Sequence, residues 1–137
     1  MRIRTARSQD IPAAVALAKR LDLDVPGLAS DPMWVAQENG AVAGLVALRK
    51  HTDALELYAL GVDPSYRGEG VGKALVGALV AETPADVHLA TVIPEFFEVL
   101  GFVRVKDIPR SFLDKRKTSW CEGCDPRRCA VMVRKQT

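Results

Sequence analysis

The chain has 137 residues, 48% hydrophobic and 26% charged, with a formal net charge of +2; that length is near the modal domain size and the composition is ordinary globular material able to bury a sizeable core. So small a charge, with basic residues scattered apart from the stretches 104–116 and 127–128, argues against nucleic acid as a partner. Met1-Arg2-Ile3-Arg4 opens on strand-like alternation without an apolar signal core, and no apolar run approaches the roughly eighteen residues of a membrane span, so a single cytoplasmic domain over 1–137 with no membrane partner is expected.

Residues 2–6 alternate and predict a first strand. Ser8 is placed to cap a helix over 9–22, where Ile11, Ala14, Val15, Ala18 and Leu21 recur at helical spacing and Pro12 falls in the tolerated first turn. The stretch 24–32, with two prolines and a glycine, reads as a loop or short helical turn. Residues 34–38 and 41–48 flank Asn39-Gly40, a pair that accepts the positive φ of a type I′ turn, so two antiparallel strands are expected. A third apolar run, 55–62, is interrupted by Glu56 and Tyr58. It leads into three glycines and a helix over about 70–82 whose Val71, Ala74, Leu75, Ala78 and Leu79 form a stripe suited to docking on a sheet. A strand at 86–91 follows, then a short helix at 94–100 with Phe96, Val99 and Leu100 toward the core and Gly101 as its C′ residue. Strands at 102–105 and 130–133 complete the order, without repeats or low-complexity segments.

The densest chemical signal is Val62-Asp63-Pro64-Ser65-Tyr66-Arg67-Gly68-Glu69-Gly70-Val71-Gly72-Lys73-Ala74-Leu75. A strand, a tight glycine turn and a helix start bring unpaired backbone N–H groups together at the positive end of the helix dipole, a setting that suits phosphate. Glycine lets the backbone approach a diphosphate closely and adopt positive φ, and Arg67 and Lys73 add charge at the rim. A Walker loop fails: Gly68 to Gly72 is one residue short, and Ala74 lacks the hydroxyl that magnesium requires. A dinucleotide fingerprint fails because Lys73 stands where its last glycine belongs. What fits is Arg-x-x-Gly-x-Gly.

Arg67-Gly68-Glu69-Gly70-Val71-Gly72, after a strand ending in Val62-Asp63-Pro64, resembles the acetyl-coenzyme A signature of the GNAT superfamily of N-acetyltransferases. The alternative is an ordinary glycine-rich turn before a helix. Ile93-Pro94-Glu95-Phe96-Phe97-Glu98-Val99-Leu100-Gly101-Phe102 is similar to a second family block, aromatic-aromatic-x-x-x-Gly-Phe, and the order of strands and helices is itself similar. The resemblance implies an α/β (α+β) acyl-CoA N-acyltransferase fold: a central, mixed, mostly antiparallel twisted sheet of about six or seven strands flanked by helices. It implies acetyl-CoA as cosubstrate, held by Leu60, Gly61 and Val62 on a bulged, splayed strand, by Arg67, Gly68, Glu69, Gly70, Val71, Gly72 and Lys73 in the loop, and by Phe97 beside the pantetheine arm. Gly61 is the plausible bulge residue. Phe97 departs from the family, which often has there a tyrosine that protonates the leaving thiolate.

Acetyl transfer to an amine needs a neutral nucleophile, a polarised thioester carbonyl and a base. Family members often carry a glutamate where Glu56 stands, so Glu56 is the candidate base. Tyr58 shares its side-chain parity, roughly 6–8 Å along a strand, and joins it as a catalytic candidate; an exposed strand glutamate is the competing reading. The tail, with Ile108-Pro109 and Cys121-x-x-Cys124-x4-Cys129, resembles short bacterial N-acetylglutamate synthase-like enzymes over roughly 54–133, implying L-glutamate as acceptor, with cations from 104–117, or Arg2 or Arg4, on its carboxylates. The alternatives are another amine (a polyamine, an antibiotic, a protein N-terminus or lysine) or a non-catalytic acyl-CoA-binding regulatory module. Cys121, Cys124 and Cys129 suggest zinc only weakly: a structural site wants four ligands, and His51 and His88 are distant in sequence, so metal is not favoured over redox pairing or buried thiols. A homodimer is left open.

Overall fold

The computed structural model describes residues 1–115 and 129–136. The chain divides into two compact units, Met1–Arg49 with Leu57–Glu82, and Lys50–Glu56 with Thr83–Thr137.

In the first unit β1 (Arg2–Thr5) pairs antiparallel with β2 (Met33–Glu38), which pairs antiparallel with β3 (Ala41–Lys50). The turn between β2 and β3 is Asn39-Gly40, at φ +49° and +79°, the conformation that this dipeptide predicts. Helix α1 (Ile11–Arg20) follows a 3₁₀ turn, Ser8–Asp10. Ser8 is not the cap expected of it. Asp10 stands at the N-cap of α1 without a side-chain bond to the helix; its carboxylate instead accepts from the Arg7 N–H at 2.7 Å and from the Arg4 guanidinium at 2.5 and 3.0 Å, charge-assisted bonds that tie the 3₁₀ turn to β1. Ala14, Leu17 and Ala18 of α1 are buried with Leu28, Met33, Val35, Leu45 and Ala47.

Strand β4 (Leu55–Val62) carries the chain from the second unit into the first and ends at a 3₁₀ turn, Pro64–Tyr66. Helix α2 (Val71–Glu82) packs on β2 and β1, and the Trp34 indole N–H donates to Glu82. Its buried residues are Val71, Leu75, Val76 and Leu79, whereas Ala74 is exposed. The face is turned from the predicted stripe because Val76 buries more apolar area than Ala74.

In the second unit β5 (Val87–Thr91) pairs antiparallel with β7 (Ala130–Arg134), and β7 with the two-residue β6 (Val103–Arg104). Leu55 and Glu56, which begin β4, pair in parallel with Val87 and His88. Hydrogen bonding thus runs β1-β2-β3-β4-β5-β7-β6, a mixed, mostly antiparallel set of seven strands. Helix α3 (Pro94–Glu98) is shorter than predicted: Gly101 at φ +93° donates its N–H to the Glu98 carbonyl and turns the chain. With only five helical residues, Phe97 points inward and Val99, expected in the core, is 78% exposed. Helix α4 (Arg110–Lys115) lies in the stretch that the sequence presented only as basic. Among the described residues no helix is long and apolar enough to cross a membrane.

Candidate functional site

The glycine loop grows out of the end of β4. Asp63 accepts from the Ser65 N–H at 2.9 Å and ties the strand end to the 3₁₀ turn, while its own N–H donates to the Ala43 carbonyl at 2.7 Å. Arg67 Nε donates to the Val62 carbonyl at 3.2 Å, so an exposed guanidinium is anchored at the loop's entrance. Gly68 and Gly70 then sit at φ +85° and +77°, and a Cβ at either would meet nothing within 4 Å. The space over these glycines is open. Gly70 accepts the first helical bond, from the Ala74 N–H at 3.0 Å. The first N–H groups of α2 therefore have no acceptor within the helix and project at the dipole's positive end. Glu69 and Lys73 are exposed beside them.

Upstream, β4 breaks its regular geometry at Ala59, a non-glycine residue at φ +55°. Tyr58 and Ala59, consecutive residues, both pack against the α1-side core, as a left-handed residue within a strand allows. Gly61, expected to carry the bulge, is not in the left-handed region and serves a different need: a Cβ there would come within 2.5 Å of Leu23 Cδ1 and 2.8 Å of Leu21 Cδ1.

The two catalytic candidates have separate surroundings. Tyr58 donates its phenolic hydrogen to Asp31 and accepts from Arg49 at 3.1 Å. Arg49 also bonds Asp31 at 2.8 Å and the Pro26 carbonyl at 2.7 Å, and lies 4.6 Å over the Tyr58 ring. Burial first, then the bond to Asp31, push the phenol above its ordinary range; it is a proton donor in a clasp that holds the 26–31 loop to β3 and β4. Arg49 and Asp31 carry no motif, and sequence reasoning passed over both.

Glu56, in the second unit, is 3% exposed. Its Oε1 lies 2.8 Å from His51 Nε2. His51 sits in the turn between β3 and β4, and its backbone N–H donates to the Ala54 carbonyl at 2.8 Å. Phe112 of α4 lies 6.1 Å from both the His51 and the His88 rings. His88, the register neighbour of Glu56 on β5, has a buried Nδ1 without a hydrogen-bond partner among the described residues; burial first, then Lys135, lower its pKa, against Asp86 and Asp53. The sequence had treated these two histidines only as distant metal ligands.

Phe97 is 5% exposed and stacks edge-on against Phe96 and Phe102, centroids 5.0 and 5.6 Å away. Of the cations considered for an acceptor, Arg4 is engaged by Asp10 and Gln37, Arg104 lies 3.8 Å from Glu98, and Lys106 and Arg110 are exposed. Arg116, Lys117, Cys121 and Cys124 lie outside the described residues. Cys129 is a free thiol, and the described residues include no cluster of three or more His, Cys, Asp or Glu able to hold a metal.

The profile of the Acetyltransferase (GNAT) domain family matches residues 29–104, and the chain belongs to that family. Among individual proteins it is 34% identical over 84 residues to the N-acetylaspartate synthetase of Xenopus tropicalis, an alignment covering 53% of this chain and 31% of that one; the chain thus spans less than a third of that relative. Its fold is similar to that of N-acetylglutamate synthase from Neisseria gonorrhoeae complexed with coenzyme A and N-acetyl-glutamate, with TM-score 0.79 and 20% identity over 99% of this chain and 35% of the other. Rv2747 from Mycobacterium tuberculosis, in complex with CoA, matches with TM-score 0.73 and 21% identity over 100% of both chains.

Proposed function

We propose that the chain transfers the acetyl group of acetyl-CoA to the α-amino group of an acidic amino acid, L-glutamate first and aspartate beside it. Family membership supports the N-acetyl transfer. The observation that carries the acceptor class is the match to a relative named N-acetylaspartate synthetase, with fold likeness to an N-acetylglutamate synthase in support. In this reading the diphosphate of acetyl-CoA lies on the glycine loop between Arg67 and Lys73, where left-handed Gly68 and Gly70 leave room for it. Glu56 takes a proton from the substrate ammonium, and the freed amine attacks the thioester carbonyl carbon. The C–N bond forms, the C–S bond breaks and the thiolate leaves. As the adduct collapses, the nitrogen's second proton passes through water to the thiolate, since Phe97 has no proton to offer it. Tyr58, with its proton held toward Asp31, acts by fixing the 26–31 loop.

The test is release of coenzyme A thiol with a panel of glutamate, aspartate, glutamine, spermidine and a lysine peptide. Glutamate and aspartate are expected to lead. Glutamine, which loses one charge-assisted pair, should trail by about 1.5–3 kcal/mol in kcat/KM. Faster acetylation of spermidine or the peptide would overturn the acceptor class, and no thiol release with any amine would point to an acyl-CoA-binding module.

A further inference from the structure

We infer that His51 is a positioning residue for the Glu56 carboxylate, an inference that rests on the reading of Glu56 as the base. A carboxylate as buried as this one is retained only with hydrogen-bond or charge compensation, and His51 Nε2 supplies a contact at 2.8 Å to Oε1. The imidazole is itself held from two sides. Its backbone N–H closes the 51–54 turn on the Ala54 carbonyl, and Asp53 of that turn accepts from the Ser111 N–H of α4 at 3.1 Å. That bond brings the turn to the helix bearing Phe112, which is 2% exposed and lies against the His51 ring at an interplanar angle of 56°. A ring fixed in this way orients the carboxylate it bonds, much as an aspartate orients a catalytic histidine, with the roles exchanged. The His51 side chain remains 25% exposed, so the pair keeps contact with water although Glu56 does not.

His88 cannot substitute for it. It stands beside Glu56 in the ladder, yet its Nδ1 is buried without a partner among the described residues, and Phe112 lies against its ring. Among the described residues, the charged or titratable groups facing His51 are Glu56 from β4 and Asp53 from its own turn, with His88 of β5 beyond Phe112, the uncharged residue that α4 presents.

The experiment compares His51→Leu, which has no donor, with His51→Gln, whose amide N–H reaches a similar place, and with Glu56→Gln, in steady-state acetyl transfer by the full chain across pH. His51→Leu is expected to lower kcat about 10- to 100-fold with KM for acetyl-CoA unchanged. His51→Gln should recover most of kcat. If His51→Leu keeps the wild-type kcat and pH profile while Glu56→Gln is slow, or if His51→Gln is as slow as His51→Leu at every pH, His51 does not position the base. A Glu56→Gln enzyme with wild-type rate at every pH would remove Glu56 as base, and this inference with it.

Discussion

Placing a side chain at Gly70 separates what the loop costs the fold from what it gives a ligand. Gly70 sits at φ +77° with nothing within 4 Å of an added Cβ, so alanine there meets no clash and brings only left-handed strain, about 1–2 kcal/mol. That corresponds to a fall in Tm of about 3–8 °C. Asparagine tolerates the left-handed region and should cost less. For a diphosphate over the N–H groups that open α2, however, both substitutions put atoms into the space the phosphate needs. Losing one charge-assisted hydrogen bond there costs about 1.5–3 kcal/mol, a loss in affinity of at least about tenfold. Calorimetric titration with acetyl-CoA, run beside thermal melts, should therefore show Gly70→Asn with a nearly wild-type Tm and weak binding, and Gly70→Ala impaired in both. Affinity unchanged in both variants would mean that the cosubstrate does not use this loop.

Two further expectations follow from ionisable groups in the first unit. The Arg4 bond, then the Arg7 N–H, lower the Asp10 carboxyl from an ordinary 3.8 to about 2, so its contribution is present above the unfolded pKa and is lost as pH falls through the folded one. The stability difference between wild type and Asp10→Asn, read from thermal melts and on the order of 1–2 kcal/mol after solvent screening, should be full at pH 7 and shrink between about pH 4 and 2; a difference independent of pH would show that the ion pair does not drive it. Tyr58→Phe removes the hydroxyl from the Asp31–Arg49 clasp and should destabilise by about 1 kcal/mol. Because that phenol is raised, its contribution should be complete below about pH 10 and fade as pH rises through the folded value; a loss of rate with no loss of Tm would instead make Tyr58 a participant in the chemistry.

What was legible in the sequence was whatever is written locally. Asn39-Gly40 specifies its turn by φ alone, and the glycines after Val62 mark a strand-to-helix junction whose left-handed Gly68 and Gly70 follow from residue type. The stripe on α2 was legible to within one residue, because Ala74 and Val76 compete for the face and only packing decides. Long-range pairing was not legible. Arg49 lies 18 residues from Asp31 and nine from Tyr58, and no periodicity joins them. Gly61 was expected to carry the irregularity of β4, whereas the left-handed residue of the strand is Ala59, for the same reason: glycine is the local signal for unusual φ, but here its missing side chain is used by Leu21 and Leu23.

That displacement bears on how the candidate base is held. An alanine at φ +55° costs on the order of 1–2 kcal/mol, and such a residue persists only where its surroundings over-determine it. On one side of it in sequence, Leu60 to Val62 lead into the glycine loop; on the other, Tyr58 is clasped by Asp31 and Arg49, and Glu56 is bonded to His51. A strand free to relax would remove the kink. Side-chain bonds at residues 56 and 58, and the Asp63 N–H on the Ala43 carbonyl, tether β4 on both sides of Ala59, so the strain is sustained by the same contacts that orient Glu56 and Tyr58.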